Sequence, residues 1–169
     1  MTPDDTTRQE LVALIPRLRR FARVLTGSIA DADDVVQSSL EKAMTNIDQW
    51  QPGTRLDSWL FRIARNGWLD DRRLARNRIA HDDIDTLSDV PGIVGDALVE
   101  QRSTARHVRL AVDALPAEQR DLVALVMLEG YSYREAADLL DLPIGTVMSR
   151  LSRAKAALAR QLGNEGKAA

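Results

Sequence analysis

Apolar residues recur along nearly the whole chain at three- and four-residue steps, and nowhere do they alternate singly. That periodicity places them on one face of a helix rather than one face of a strand, so the chain is predicted to be all-α. Leu11, Leu14, Ile15, Leu18, Phe21, Ala22 and Leu25 form the first such stripe, which stops at Gly27. Pro16 lies inside it and predicts a kink or a fresh helix start, because proline lacks the amide donor and crowds the preceding turn. A second helix is expected from about Asp31 to Ile47, with Asp31, Asp33 and Asp34 in its first turn, where the helix dipole favours acids. Its apolar side is Val35, Val36, Leu40, Ala43, Met44 and Ile47. After a turn at Gln51-Pro52-Gly53-Thr54, a third helix runs from about Arg55 into the Arg72–Arg78 region.

Composition changes at residue 79. From Ile79 to Glu100 there are six acids (Asp82, Asp83, Asp85, Asp89, Asp96, Glu100), no Lys or Arg, and Pro91, Gly92 and Gly95. Such a stretch cannot bury enough apolar surface to fold alone, and it reads as an acidic linker between two small helical domains. The expected domains are 1–78 and 101–169, each net +2, with 79–100 as a flexible tether. Asp82-Asp83-Ile84-Asp85 has carboxylates enough for a metal, but in this setting a solvated run is the simpler reading.

In the second domain one helix covers about Val99 to Ala114, and Leu115-Pro116 breaks it. Pro116 suits the first turn of the next helix, which ends at Gly130. Ser132-Tyr133-Arg134-Glu135 has the spacing of a capping box. A break at Asp141-Leu142-Pro143 then precedes a last helix, about Ile144 to Leu162. Short helix, tight break and longer helix make a helix-turn-helix. In the last helix Val147, Leu151, Ala154, Leu158 and Leu162 form an apolar stripe, opposite Thr146, Ser149, Ser152, Arg153, Ala156 and Arg160. Arg150, Arg153, Lys155 and Arg160 meet no acid between Leu142 and Asn164. A basic face of small residues suits entry into a DNA major groove, where arginine reads base edges or phosphates. The plainer alternative is the solvated face of a bundle helix.

The third helix is the other informative element. Leu56, Leu60, Ile63 and Gly67 form a stripe with Trp59 at its edge, and Phe61 and Trp68 fall outside it. Arg62, Arg65, Arg72, Arg73, Arg76 and Arg78 accompany them. Aromatics interleaved with arginine can stack unpaired bases while holding the backbone. The alternative is that Phe61 and Trp68 pack against the first helix and the arginines are solvated.

Several function classes are excluded. The chain has no cysteine, so disulfides, thiol catalysis and cysteine-ligated zinc are ruled out. Its two histidines, His81 and His107, are too far apart to suggest a metal cluster. There is no nucleophile elbow and no glycine-rich phosphate loop, so neither catalysis nor a cofactor is expected. Net charge is −2, from 23 Lys+Arg against 25 Asp+Glu, so nucleic-acid contact must come from local patches. No apolar run approaches the ~18 residues of a membrane span, and the start MTPDDTTRQE is too acidic for a signal peptide. A soluble, cytoplasmic protein without membrane insertion is expected.

Three segments together resemble the bacterial extracytoplasmic-function (ECF) RNA polymerase sigma factors. Asp31-Ala32-Asp33-Asp34-Val35-Val36-Gln37 resembles the start of that family's core-polymerase-binding helix. Trp59-Leu60-Phe61-Arg62-Ile63-Ala64-Arg65-Asn66 resembles its promoter-melting segment. Leu115-Pro116, Tyr131 to Ala137 and Pro143 to Leu151 resemble its region four. Ile15-Pro16-Arg17-Leu18-Arg19-Arg20-Phe21 is similar to the general-stress-response branch.

The resemblance implies a non-catalytic initiation factor, its partners core RNA polymerase, promoter DNA and an anti-sigma factor. It implies core-polymerase contacts at Asp33, Asp34, Val35 and Gln37. It implies minus-ten contacts at Trp59, Arg62, Arg65, Asn66 and Trp68, with the chain leaving the helix or bending at Gly67. Minus-thirty-five contacts fall to Thr146, Ser149, Arg150, Ser152, Arg153 and Arg160. It further implies that the acidic linker threads the polymerase cleft. Two positions depart from the family pattern. Met148 stands where Lys or Arg is usual, and Asp141 where a helix-ending Gly is common, which costs stability if that residue is left-handed. Two other readings are a sigma mimic that sequesters an anti-sigma factor and a stand-alone helix-turn-helix regulator. The mimic should lose the basic groove face, and the regulator leaves residues 31–78 unexplained.

Overall fold

The computed structural model describes residues 5–79 and 99–165. The acidic stretch read as a linker lies largely outside them, as do both ends of the chain. Among the described residues there are seven α-helices, a short 3-10 turn, a π-helical segment and no strand.

Helix α1 (Asp5–Thr26) is one continuous helix that carries Pro16 in its interior, so no fresh start occurs there. Pro16 and Val12, whose carbonyl lacks the usual amide partner, are both exposed, where water can satisfy that carbonyl. Gly27, at φ +73°, then turns the chain. Ser28 caps α2 (Ile29–Thr45) by accepting a hydrogen bond from the Asp31 amide. Residues Ile47–Gln49 form the 3-10 turn, and α3 spans Leu56–Ile79. It passes through Gly67 as helix, so the predicted exit there does not occur. The three helices share a core of Leu11, Leu18, Phe21, Ala22, Val35, Val36, Leu60 and Ala64. Met44, expected on the apolar side of α2, is 43% exposed instead.

The second half begins with α4 (Val99–Asp113). Pro116 stands as the cap of α5 (Ala117–Leu122) rather than inside its first turn. The chain continues as a π-helical segment, Val123–Leu128, and turns at Gly130, with φ +73°, two residues beyond it. Helix α6 (Tyr133–Leu140) has the full capping box. The Ser132 hydroxyl accepts from the Glu135 amide, and the Glu135 carboxylate accepts from the Ser132 amide. Asp141 closes α6 in the left-handed region at φ 53°, the conformation in which its departure from the family's glycine costs stability. Helix α7 (Ile144–Glu165) follows. Val147, Leu151, Ala154 and Leu158 are buried as the stripe predicts, whereas Leu162 is exposed.

The two halves pack against each other. Helix α1 packs on α5 and the π-helical segment, and α3 packs on α6. Phe61, off the stripe of α3, is buried because α3 has two neighbours. Its ring stacks on Phe21 of α1 and lies 6.0 Å from Tyr131 of the second half.

Candidate polymerase and nucleic-acid interfaces

Helix α2 presents its acids outward. Asp33, Asp34 and Gln37 are exposed. Asp33 pairs with Arg19 of α1 at 3.2 Å, and Gln37 donates to Glu41 at 3.0 Å. Val35 is only 5% exposed and belongs to the core, so of the four residues assigned to polymerase binding it is the one turned inward. The reason is periodicity. Val35 and Val36 share the buried side of α2 with Ala32, Ser39 and Ala43.

The α3 residues assigned to minus-ten DNA divide in two. Asn66 is exposed, and Trp59 and Trp68 are half-buried, with the Arg72 guanidinium 5.8 Å from the Trp68 ring. Arg62 and Arg65 instead face the second half. Arg62 donates to the Asp138 backbone carbonyl at 2.6 Å, and Arg65 Nε donates to Asp121 Oδ2 at 2.7 Å.

That pair belongs to a charged seam which periodicity does not reveal. Arg17 of α1 donates to Glu129 at 2.8 Å and to Asp57 at 3.0 Å. Arg20 pairs with the same Glu129 carboxylate at 3.2 Å. Arg55 grips Asp57 with Nε and Nη2 at 3.0 and 2.8 Å and reaches across to Glu135. The Arg55 guanidinium also lies 4.4 Å from the centre of the Tyr131 ring. Burial alone would push the Asp57 carboxyl up, but hydrogen bonds from Arg55 and Arg17 outweigh it and hold it at about 2. At Asp121 burial prevails over Arg65 and pushes the carboxyl up. Burial likewise pushes the Tyr131 phenol to about 12.

On α7 the face opposite the core is open. Ser149, Ser152, Arg153 and Arg160 are exposed, and Thr146 is partly so. Arg153 Nε donates to the Ser149 carbonyl at 3.4 Å, which lays it along the helix. Arg153 and Arg160 border an open cleft whose far wall is Pro116 and Gln119. Arg150 differs, because it is half-buried and bonded to Glu118 of α5 at 2.8 Å. Met148 is exposed on the same helix. Lys155, outside the predicted set, reaches Tyr133 of α6, donating to its hydroxyl at 3.3 Å.

Two helical halves, the second ending in a capped helix-turn-helix with an outward basic face, define a DNA-binding factor of the transcription-initiation type. Comparisons with known proteins agree. Residues 11–65 match the family described as the Sigma2 domain of PhyR, and residues 106–158 match Sigma-70, region 4. The chain is 38% identical over 167 residues to the ECF RNA polymerase sigma factor EcfG of Rhodopseudomonas palustris, covering 96% of this chain and 88% of that protein. It is 36% identical over 152 residues to the ECF sigma factor SigM of Mycobacterium tuberculosis, covering 87% and 72%. Among solved structures it resembles the Bartonella quintana sigma factor RpoE, crystallised with the anti-sigma factor NepR. The TM-score is 0.75 at 31% identity, over 94% of this chain and 97% of that one. It also resembles CnrH in complex with the cytosolic domain of CnrY, at TM-score 0.63 and 27% identity, over 92% and 86%.

The chain belongs to the ECF family of RNA polymerase sigma factors, which direct promoter-specific initiation. Its relatives are sigma factors rather than enzymes. Among the described residues no helix is long and apolar enough to cross a membrane.

Proposed function

We propose that this sigma factor acts in the cytoplasm without catalysis of its own, through three surfaces. The exposed acids of α2, Asp33 and Asp34, with Gln37, contact core RNA polymerase. Trp59, Arg62, Arg65, Asn66 and Trp68 hold and read the minus-ten strand, with single-stranded bases stacking on aromatic rings and arginine neutralising phosphate. Thr146, Ser149, Ser152, Arg153 and Arg160 meet the minus-thirty-five duplex in the major groove. The division of labour follows residues 1–78, 79–100 and 101–169. An anti-sigma partner is supported by the solved relatives, whose structures are complexes with NepR and CnrY. The observation that carries this reading is the outward face of α7, free of acids from Ile144 to Asn164, behind a fully capped α6. A mimic that only sequesters an anti-sigma factor has no use for that face.

Run-off transcription with bacterial core polymerase tests the reading. Promoter-dependent transcripts are expected only when the chain is added. Asp34→Lys should weaken capture of core enzyme while leaving the helical circular-dichroism signal unchanged. Absence of both transcripts and core capture would overturn the assignment.

A further inference from the structure

At the head of α7 the exposed residues are Ile144, Gly145, Met148, Ser149 and Ser152. Ile144 and Met148 are 46% and 53% exposed and stand one turn apart. Met148 is also one turn from Ser152 and adjoins Ser149, so it borders the outward polar face rather than the buried stripe of Val147 and Leu151. An apolar side chain left in water there adds nothing to the core. Gly145 is equally idle in the fold. It lies within the helix, and no atom of the described residues comes within 4 Å of where its side chain would begin. Glycine weakens a helix, and neither its backbone nor its packing requires it at this point. What it leaves is bare backbone on the side of α7 that carries Ser149 and Ser152.

The place of these residues along the helix decides what they can touch. The N-terminal residues of a recognition helix are those that meet base edges in the major groove. Met148 stands one turn into α7, which starts at Ile144. Its thioether has no proton to donate and accepts only weakly, so hydrogen-bond readout is closed to it. Thymine alone presents an apolar feature in the major groove, its C5 methyl. The flexible, polarisable side chain of methionine can settle on a methyl whose position the groove fixes.

We propose that Met148 is a specificity residue of the minus-thirty-five contact: its thioether packs on the C5 methyl of one thymine, Gly145 clears the backbone for that approach, and Ser149 and Arg153 read neighbouring base edges. The inference rests on the proposed docking of α7 in the major groove and deepens it by naming a base. Readout of a methyl neutralises no phosphate, so it adds sequence preference without adding salt dependence.

The test uses holoenzyme formed with bacterial core polymerase. It first selects duplexes from a pool randomised at both promoter elements. The best-bound duplex is then remade with deoxyuridine at each upstream thymine in turn, which deletes the methyl and leaves O4 and the pairing edge intact. One such replacement should weaken binding by the parent about fourfold, the worth of one buried methyl group. Met148→Ala should bind the thymine duplex as weakly as the parent binds the deoxyuridine one, and should be indifferent to the replacement. Met148→Leu, which keeps an apolar side chain, should stay sensitive. Met148→Lys should lose the sensitivity and raise the salt slope by about one. Unchanged parent affinity at every deoxyuridine position overturns the proposal, and so does a loss that persists in Met148→Ala. Arg153→Ala separates this claim from the one beneath it. If Arg153→Ala shifts the selected upstream sequence while no methyl matters, the docking of α7 stands and Met148 has no part in it. If the parent selects no upstream sequence at all, the docking itself fails and the proposal with it.

Discussion

The rings of Phe21 and Phe61 stack face to face, with centroids 4.9 Å apart and planes within 4° of parallel, and both residues are fully buried. This pair joins α1 to α3 at the point where Tyr131 of the second half also arrives. Its role is structural, and Phe61 is therefore not available to stack a DNA base. Phe61→Ala should destabilise the chain by about 3–5 kcal/mol, the cost of a large cavity in a packed core. A chemical-denaturation midpoint close to that of the parent would contradict this placement. Phe61→Leu should lose much less, because most of the volume is kept.

Asp57 carries an acid dependence whose sign is set by its partners. Its carboxyl sits at about 2 in the folded chain against an ordinary 3.8, so folding favours the charged form. The stabilisation is complete above the ordinary value and is lost as pH falls from about 4 towards 2. A shift of this size is worth roughly 2 kcal/mol. Asp57→Asn should remove that much at neutral pH and flatten the fall in stability across the same window. Asp121 works in the opposite direction, since burial raises its carboxyl. The measurement is accordingly the difference between parent and Asp57→Asn urea stabilities at pH 7, 4 and 2.5.

Asp141 ends α6 at φ 53° and ψ 47°, a conformation in which a side chain crowds its own backbone. The amides of Asp141 and Leu142 both donate to the Ala137 carbonyl there, so the turn cannot relax without losing them. Asp141→Gly should stabilise the chain by roughly 0.5–1 kcal/mol, the left-handed strain relieved less the added entropy of glycine in the unfolded chain. Asp141→Val should destabilise it, because a β-branched residue tolerates this region worst. Equal thermal midpoints for the Gly and Val variants would refute the argument.

Local signals carried far in this chain, and distant ones did not. The Ser132–Glu135 box and the Val147–Leu158 stripe are relations over three or four residues, and both are found as expected. The cost at Asp141 is conditional on a left-handed residue, and φ 53° meets that condition. The seam is different. Arg17 and Glu129 are 112 residues apart, and Arg65 and Asp121 56 apart. No spacing rule links such positions, and each charge alone reads as a solvated one. Phe61 falls outside the stripe because a stripe describes burial against one neighbour and α3 has two, and the alternative that it packs against the first helix is the one found. Val35 is given a polymerase contact by resemblance, although its place on the apolar side of α2 beside Val36 already points inward.

On the recognition helix three arginines have three environments, and these separate their effects. Arg153 is exposed on the outward face between Ser149 and Ser152. It is placed to read base edges, so Arg153→Ala should cost about 1–3 kcal/mol and relax preference at one or two bases of the minus-thirty-five element. Arg160 lies two turns further along the same face, beside the cleft walled by Pro116 and Gln119. At that distance from the start of the helix a phosphate contact is expected. Arg160→Ala should weaken all sequences alike and reduce the salt slope by about one. Arg150 is bonded to Glu118 and only 24% exposed, so its charge is already partnered within the second half. Arg150→Ala should therefore change DNA affinity less than Arg160→Ala does, and should lower thermal stability, because it frees Glu118 and opens the α5–α7 contact. Gel-shift titrations of holoenzyme on minus-thirty-five variants at two salt concentrations read all three. Identical sequence profiles and salt slopes for Arg153→Ala and Arg160→Ala would refute the division between base and phosphate contact.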